Sequence, residues 1–239
     1  MKQKPFWSSR VYRAVYRWLE NRIGPEAIAH SRNYESSWEY KQADLQSWDA
    51  EPDREKLSDT LALSRVDPER AFTRLCELAE ENSPVAINAI GERYYWGRVV
   101  PKDAVEGEAW FKRAYELGSR RGLLNYGRAL FRRRDFEEAA AVFRNGVALD
   151  WAPAYYWLAR VVASQSNPLK APRLTRALLD RAAEMGSPAA KAALAAFTAA
   201  GFYGLRHIPR GIRLLKEALE AEDRAKRRPM TNVSGQTLH

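Results

Sequence analysis

The sequence predicts an all-α protein in which helical hairpins stack into a solenoid. Three observations predict this fold class. Apolar residues recur three or four positions apart rather than alternating, which is the spacing of one helix face. Shifting the chain against itself by 36 residues reveals a repeated unit. A single hairpin has too little apolar surface to fold alone, whereas several stacked copies share one continuous core.

The most regular copy of the unit spans residues 83–118. Apolar residues four positions apart form one face of its first helix: Ala86, Ile90 and Tyr94. An apolar stripe marks its second helix: Ala109, Trp110, Ala114 and Leu117. Gly97 is expected to end the first helix, and Asp103 to cap the start of the second. Glycine within a helix costs about 1 kcal/mol relative to alanine, so Gly91 indicates close packing against a neighbouring helix.

Nine residues of this unit keep the register of a known repeat pattern: Ala86, Gly91, Tyr94, Gly97, Val100, Asp103, Trp110, Ala114 and Gly118. The unit therefore resembles the Sel1-like repeat, which belongs to the tetratricopeptide-like α-solenoids. The resemblance implies a right-handed αα-superhelix whose first helices line a concave surface that holds a partner. We also expect Trp110 to lie fully buried between consecutive hairpins, in the space left by Ala86 and Gly91.

Degenerate copies of the unit follow at 119–150, 151–186 and 187–221. The first of them is four residues shorter than the regular copy, and its twelve-residue step from Gly127 to Ala139 resembles tetratricopeptide spacing. Small residues persist in the later copies where helices must approach each other, among them Ala182, Ala190 and Ala195. The predicted repeat region therefore extends well beyond the regular copy.

The predicted domain organisation has three parts: an amphipathic helix and an aromatic-rich capping segment over 1–60, the repeat solenoid over 61–221, and a disordered basic tail over 222–239. Residues 6–23 place apolar residues on one helical face and arginines elsewhere. This helix either caps the first repeat or lies on an anionic membrane surface. The need to cover the end of a solenoid favours the cap.

Catalytic motifs are missing from the sequence. It contains no glycine-rich phosphate loop, HExxH pair, GxSxG elbow or zinc-type cluster. We therefore expect a non-enzymatic protein without cofactor, metal site or small-molecule substrate. Cys76 is the single cysteine and falls on an apolar stripe, which predicts a buried thiol. Without a signal peptide or membrane span in the sequence, the predicted location is cytoplasmic, with peripheral membrane contact through residues 6–23 as an alternative.

Positive charge concentrates in the C-terminal half. The chain carries a net charge of +9, and residues 119–239 contain 21 basic and 10 acidic side chains. This imbalance predicts an acidic partner. Nucleic acid is one alternative, because Arg132–Arg134 provides phosphate-binding charge, although no recognisable nucleic-acid module accompanies it. A membrane-surface scaffold recruited by residues 6–23 is the other.

The predicted function is a protein–protein interaction adaptor or regulator that binds a partner segment in the concave groove. Residues at i, i+4 and i+7 on the first helices point away from the packing stripe and would line this groove: Asn88, Glu92 and Tyr95; Leu124, Arg128 and Phe131; Tyr156, Arg160 and Ala163. Arginines grip carboxylates and aromatic rings supply rigid apolar contact. The predicted ligand is therefore an acidic segment with hydrophobic anchors.

Overall fold

A computed structural model of the chain describes residues 38–43, 51–165, 172–199, 207, 209–214 and 216–217. The predictions for residues 6–23 and 222–239 lie outside these ranges. Nine helices of ten or more residues lie within them: α1 (Arg54–Leu63), α2 (Pro68–Glu80), α3 (Pro84–Trp96), α4 (Ala104–Glu116), α5 (Arg120–Arg133), α6 (Phe136–Ala148), α7 (Ala152–Gln165), α8 (Pro172–Glu184) and α9 (Pro188–Ala199). No described residue lies in a strand, so the predicted all-α fold class is confirmed for this part of the chain.

The described helices fall into two compact units. The first comprises residues 39–161, and the described residues of the second are Trp38 and those from 162 to 217. In the first unit each helix from α1 to α5 packs against the next one, and α3 also contacts α5. This is the contact order of stacked hairpins, with α1–α2, α3–α4 and α5–α6 as pairs.

Side-chain caps fix the residues at which the helices begin. Asp103 accepts hydrogen bonds from the backbone N–H groups of Val105 and Glu106, each at 3.0 Å, which confirms the predicted cap. The same role is played by Asp53, Asp67, Ser83, Ser119 and Asp135. Each cap accepts a hydrogen bond from an N–H group that has no partner within its helix. This bond stabilises the protein by about 1 kcal/mol. Gly97 ends α3 with a left-handed φ of 70°, as the sequence predicts.

Glycines on the first helices leave space in which aromatic rings of the second helices pack. A Cβ on Gly91 would lie 2.7 Å from Cδ1 of Phe111, and a Cβ on Gly127 would lie 2.5 Å from Cζ of Phe143. Both rings are almost wholly buried, at 2% and 0% exposure. Any larger side chain at these two glycines would displace a core ring. The predicted role of Gly91 in close helix packing is therefore confirmed.

The ring that fills the space beside Gly91 is Phe111, and the prediction that Trp110 fills it is wrong. Trp110 is only partly buried against the core. Its Nε1 donates to Glu106 Oε1 at 2.8 Å, and the Arg113 guanidinium lies 5.5 Å from its ring centroid. A step of one residue turns the side chain by about 100° around a helix of 3.6 residues per turn. Neighbouring aromatic residues therefore occupy different faces.

Replacing Gly122 with alanine is expected to destabilise the protein by about 1–3 kcal/mol. The added Cβ would lie 2.5 Å from the backbone N of Tyr115 and 2.7 Å from the carbonyl carbon of Ala114. Backbone atoms within a helix cannot move aside to relieve such a contact, whereas the end of a flexible side chain can. This strain should outweigh the gain of about 1 kcal/mol from placing alanine in a helix. Chemical denaturation measures the change, and an unchanged free energy of unfolding would contradict so tight a contact.

In the second unit α8 packs against α9. Its buried residues include Leu178, Leu179, Ala182, Ala190 and Ala195. The predicted use of alanine at the helix contacts is therefore confirmed at these positions. None of the helices in the described ranges combines the length and hydropathy needed to cross a bilayer.

Candidate functional site

Polar and aromatic side chains line one side of the first helices in the unit of residues 39–161, and we call this side the first-helix face. Its members are Asn88, Glu92 and Tyr95 from α3; Arg121, Asn125, Arg128, Phe131 and Arg132 from α5; and Tyr156, Trp157 and Arg160 from α7. Contacts among these side chains link the three helices, which belong to three successive repeats. The face is therefore a product of repeat stacking.

A buried amide and a partly exposed ion pair join α3 to α5. The Nδ2 group of Asn125 donates to Asn88 Oδ1 at 3.0 Å and to Glu92 Oε1 at 3.2 Å. Asn88 is 1% exposed and itself donates to Glu92 Oε1 at 3.1 Å. Arg121 Nη2 lies 3.1 Å from the same oxygen. Buried polar groups connected in this way hold one arrangement, so Glu92 is a fixed acceptor on the face.

Aromatic rings and a guanidinium join α5 to α7. Trp157 makes edge-on contacts with Phe131 and Tyr156, with centroids 5.6 Å and 5.8 Å away. The Arg160 guanidinium lies 4.2 Å from the Trp157 centroid and 5.1 Å from that of Phe131. A cation at such distances is attracted to a ring by about 0.5–2 kcal/mol, depending on its exposure. The rings therefore help to position Arg160 on the face.

Arg128 is a largely buried arginine of the first-helix face, and its ion-pair partner lies outside the repeats. Its side chain is 12% exposed, and its Nη1 lies 3.7 Å from Oε2 of Glu39, whose side chain is 3% exposed. The guanidinium lies 5.2 Å from the Trp157 centroid and 5.7 Å from that of Tyr40. Its Nε and Nη1 atoms are buried without a hydrogen-bond acceptor in the described part of the chain. Glu39 and the two rings therefore stabilise the positive charge of the largely buried Arg128 side chain.

Residues 39–43 include two side chains that contact the first-helix face, those of Glu39 and Tyr40, and we call these five residues the docked segment. The Glu39 Oε1 atom accepts a buried hydrogen bond from Trp157 Nε1 at 2.7 Å, while Oε2 faces Arg128. Ala43, at the other end of the segment, is fully buried. Glu39 and Trp157 are 118 residues apart in the sequence. A short piece of chain from outside the repeats thus occupies the side of the repeats predicted to bind a partner.

Tyr40 supplies the aromatic contact of the docked segment. Its hydroxyl donates to Asn125 Oδ1 at 3.3 Å. The Arg121 guanidinium lies 4.6 Å from its ring centroid, and that of Arg128 lies on the same ring at 5.7 Å. Burial raises the pKa of the Tyr40 hydroxyl, an effect that the positive charge of Arg128 opposes. Tyr40 therefore remains a neutral hydrogen-bond donor at physiological pH.

The residues predicted to line a groove divide by their exposure. Five are partly exposed: Glu92, Tyr95, Arg128, Phe131 and Arg160. Four are buried: Asn88, Leu124, Tyr156 and Ala163. Leu124 is 0% exposed and packs into the core, while the next residue, Asn125, bonds to Asn88 on the face. Neither Leu124 nor Ala163 is accessible to a partner in this fold.

Sequence reasoning missed five residues that complete the site: Glu39, Tyr40, Arg121, Asn125 and Trp157. The acidic and aromatic composition of residues 31–60 predicts a packed segment, but it does not indicate where that segment packs. Trp157 follows the predicted Tyr156 directly. The rotation of α7 about its axis places the Nε1 of Trp157 beside Glu39, and the sequence does not give this rotation. Glu39 and Tyr40 thus lie outside the repeats, Asn125 and Trp157 lie one position away from the predicted register, and Arg121 lies three positions before Leu124.

One end of the face is open to solvent. Trp96, at the last residue of α3, is 47% exposed and makes an edge-on contact with Tyr95 at 5.0 Å. The guanidinium of the exposed Arg132 lies 5.2 Å from the Trp96 centroid and 5.7 Å from that of Tyr95. The pairing of arginines with aromatic rings at the docked segment is thus repeated on accessible surface.

The described residues include no group of three or more His, Cys, Asp or Glu side chains able to hold a metal ion. Cys76 is partly rather than fully buried, and it packs against the core of the first unit. Burial, with Glu80 nearby, raises the pKa of its thiol. Its thiolate fraction at neutral pH is therefore low, which agrees with a structural role.

Comparison with known proteins identifies the fold. No family model matches the sequence, and no curated protein matches it. Among solved structures, the chain is similar to the crystal structure of a Sel1 repeat protein from Oxalobacter formigenes. The TM-score is 0.59 at 21% sequence identity, and the match covers 70% of this chain and 71% of that chain. The Sel1-like repeat fold predicted from the sequence is therefore confirmed.

Proposed function

We propose that the chain is a non-catalytic adaptor or regulator that binds a segment of a partner protein on its first-helix face. The repeat fold supports this role, because stacked hairpins present an extended surface. The docked segment is the observation that carries the proposal. Arg128 and Trp157 hold its carboxylate and Asn125 holds its phenol hydroxyl. A face that binds a peptide segment of its own chain has the chemistry to bind one from another protein.

The partner segment is acidic and carries hydrophobic anchors. Arginines outnumber acidic residues among the members of the face: Arg121, Arg128, Arg132 and Arg160 against Glu92. A positive face attracts an acidic segment and increases the rate of encounter. The rings of Tyr95, Trp96 and Phe131 offer rigid apolar contact beside these charges. Arginine and large aromatic residues are the side chains that most often dominate binding energy at interfaces.

Nucleic-acid binding receives less support from the geometry. Arg133, the middle residue of the arginine triplet, pairs with carboxylates of its own chain: Glu108 at 3.3 Å, Asp135 at 3.4 Å and Glu138 at 3.6 Å. Each of these carboxylates would compete with a phosphate for the same guanidinium. The triplet therefore offers less free positive charge than its sequence suggests.

Arg160→Ala is expected to reduce recovery of partner proteins at least about tenfold, the effect of losing about 1.4 kcal/mol at an interface. The measurement is a quantitative pull-down from nuclease-treated lysate of the source cells. Nuclease treatment removes proteins that are bridged by nucleic acid. Arg144→Ala is the matched control, because Arg144 is an exposed arginine on the second helix α6 and lies off the face.

Thermal melting must show that both variants are folded. Equal recovery of the same proteins by folded Arg160→Ala, folded Arg144→Ala and the unchanged chain would contradict binding at the first-helix face. Loss of all recovered proteins on nuclease treatment would favour the nucleic-acid alternative.

A further inference from the structure

We infer that the docked segment is an internal competitor of the partner segment. The partner displaces it and fills the same subsites with an acidic residue followed directly by an aromatic residue. The inference rests on the proposed function and names the sequence that the face recognises. It treats Glu39 and Tyr40 as a ligand of the face that is carried by the same chain.

Two adjoining subsites on the face define the recognised dipeptide. The carboxylate subsite consists of Trp157 Nε1, 2.7 Å from Glu39 Oε1, and Arg128 Nη1, 3.7 Å from Oε2. The aromatic subsite consists of Asn125 Oδ1, which accepts from the Tyr40 hydroxyl at 3.3 Å, and the guanidinium of Arg121, 4.6 Å from the ring. Because consecutive residues fill the two subsites, a partner that uses both needs the same order of residues.

A partner and the docked segment cannot use these subsites together. The indole of Trp157 has a single N–H, which Glu39 already accepts in a buried hydrogen bond. The Glu39 side chain is 3% exposed, so its position is closed to a second carboxylate while it remains. Tyr40 likewise covers Arg121 and bonds to Asn125. Binding of a partner at this point therefore requires the docked segment to leave.

Attachment to the same chain gives the docked segment an advantage over any free peptide. A tethered ligand has an effective concentration on the order of millimolar. The apparent affinity of a free competitor falls in proportion to the fraction of molecules whose site is open. Removing the Glu39 and Tyr40 side chains should therefore expose the site and raise the affinity of the face for the same sequence supplied as a peptide.

The probe is a fluorescein-labelled peptide with the sequence of residues 36–43, SSWEYKQA. Its binding to the full chain is measured by fluorescence anisotropy, with the unchanged protein and the Glu39→Ala/Tyr40→Ala variant. We expect the variant to bind the peptide at least about tenfold more tightly than the unchanged protein. Equal dissociation constants would overturn competition by the docked segment.

Two further peptides test the recognised sequence. A peptide with alanine in place of both the glutamate and the tyrosine should not bind the variant measurably. A peptide in which the glutamate and the tyrosine exchange places should bind at least about tenfold more weakly than the original, because each group would meet the wrong subsite. Equal binding of the exchanged peptide would overturn the proposed order of the dipeptide.

The helical signal in the circular dichroism spectrum establishes whether the double variant is folded. Glu39→Gln is the second variant, because an amide oxygen still accepts from Trp157 Nε1 while the charge facing Arg128 is removed. It should bind the peptide with an affinity between those of the other two proteins, and it decides the question if the double variant is unfolded. Failure of the peptide to bind a folded variant would overturn the inference. Recovery of partners that depends on Arg160 would persist in that case, so the proposed function would stand by itself.

Discussion

Phe111→Ala is expected to lower the free energy of unfolding by about 3–5 kcal/mol, the usual cost of removing a buried phenylalanine ring. Phe111 is 2% exposed, and its ring lies against the backbone at Gly91 and 5.5 Å from the ring of Tyr95. Truncation would leave a cavity between α3 and α4 that their backbones cannot close. The repeat that supplies Glu92 and Tyr95 to the first-helix face would lose the ring that packs between its two helices.

Trp110→Ala provides the matched control, because it removes a larger ring from the preceding position on the same helix. Trp110 is partly buried and bonds to the exposed Glu106, so its loss should cost only about 1–2 kcal/mol. Chemical denaturation followed by helical circular dichroism measures both variants. A larger loss for Trp110→Ala than for Phe111→Ala would show that Trp110 is the ring that holds α3 and α4 together.

The fold was predictable because its determinants repeat along the sequence. Asp103 caps α4 and Gly97 ends α3, and each follows from local chemistry that a sequence displays directly. The repeat pattern marks Trp110 as characteristic, but it does not give the rotation of the helix that carries it. Phe111 fills the core instead, because the geometry of the hairpin decides which of two adjacent rings faces Gly91.

The candidate site was predictable only in part. Glu92, Arg128 and Arg160 lie at equivalent positions of successive first helices, and the structure places all three on the first-helix face. Leu124 lies at the position equivalent to Asn88 and both side chains are buried, but only the amide of Asn88 can bond to Asn125 and Glu92 on the face. The docked segment was not predictable, because it does not repeat and its contacts with Trp157 span 118 residues.

Arg128→Ala is expected to lower the free energy of unfolding by about 3–5 kcal/mol, the cost of leaving one member of a buried ion pair without the other. Glu39 would keep its hydrogen bond from Trp157 Nε1 but would lose the guanidinium that lies 3.7 Å from its Oε2. The rings of Tyr40 and Trp157 would also lose the cation between them. Arg132→Ala is the matched control, because Arg132 lies one turn further along α5 and is exposed. Its loss should cost less than about 1 kcal/mol.

A double-mutant cycle with Glu39→Ala tests whether this cost comes from the ion pair. Glu39→Ala alone should also be destabilising, because the Arg128 guanidinium would remain buried with Nε and Nη1 lacking acceptors in the described chain. Once Arg128 is absent, removing Glu39 eliminates a buried carboxylate that has already lost its contact with that guanidinium. The double variant should therefore lose about 1–3 kcal/mol less than the sum of the two single losses. Strict additivity in chemical denaturation would show that Arg128 stabilises the protein through its ring contacts alone, and that Glu39 is not the group that neutralises it.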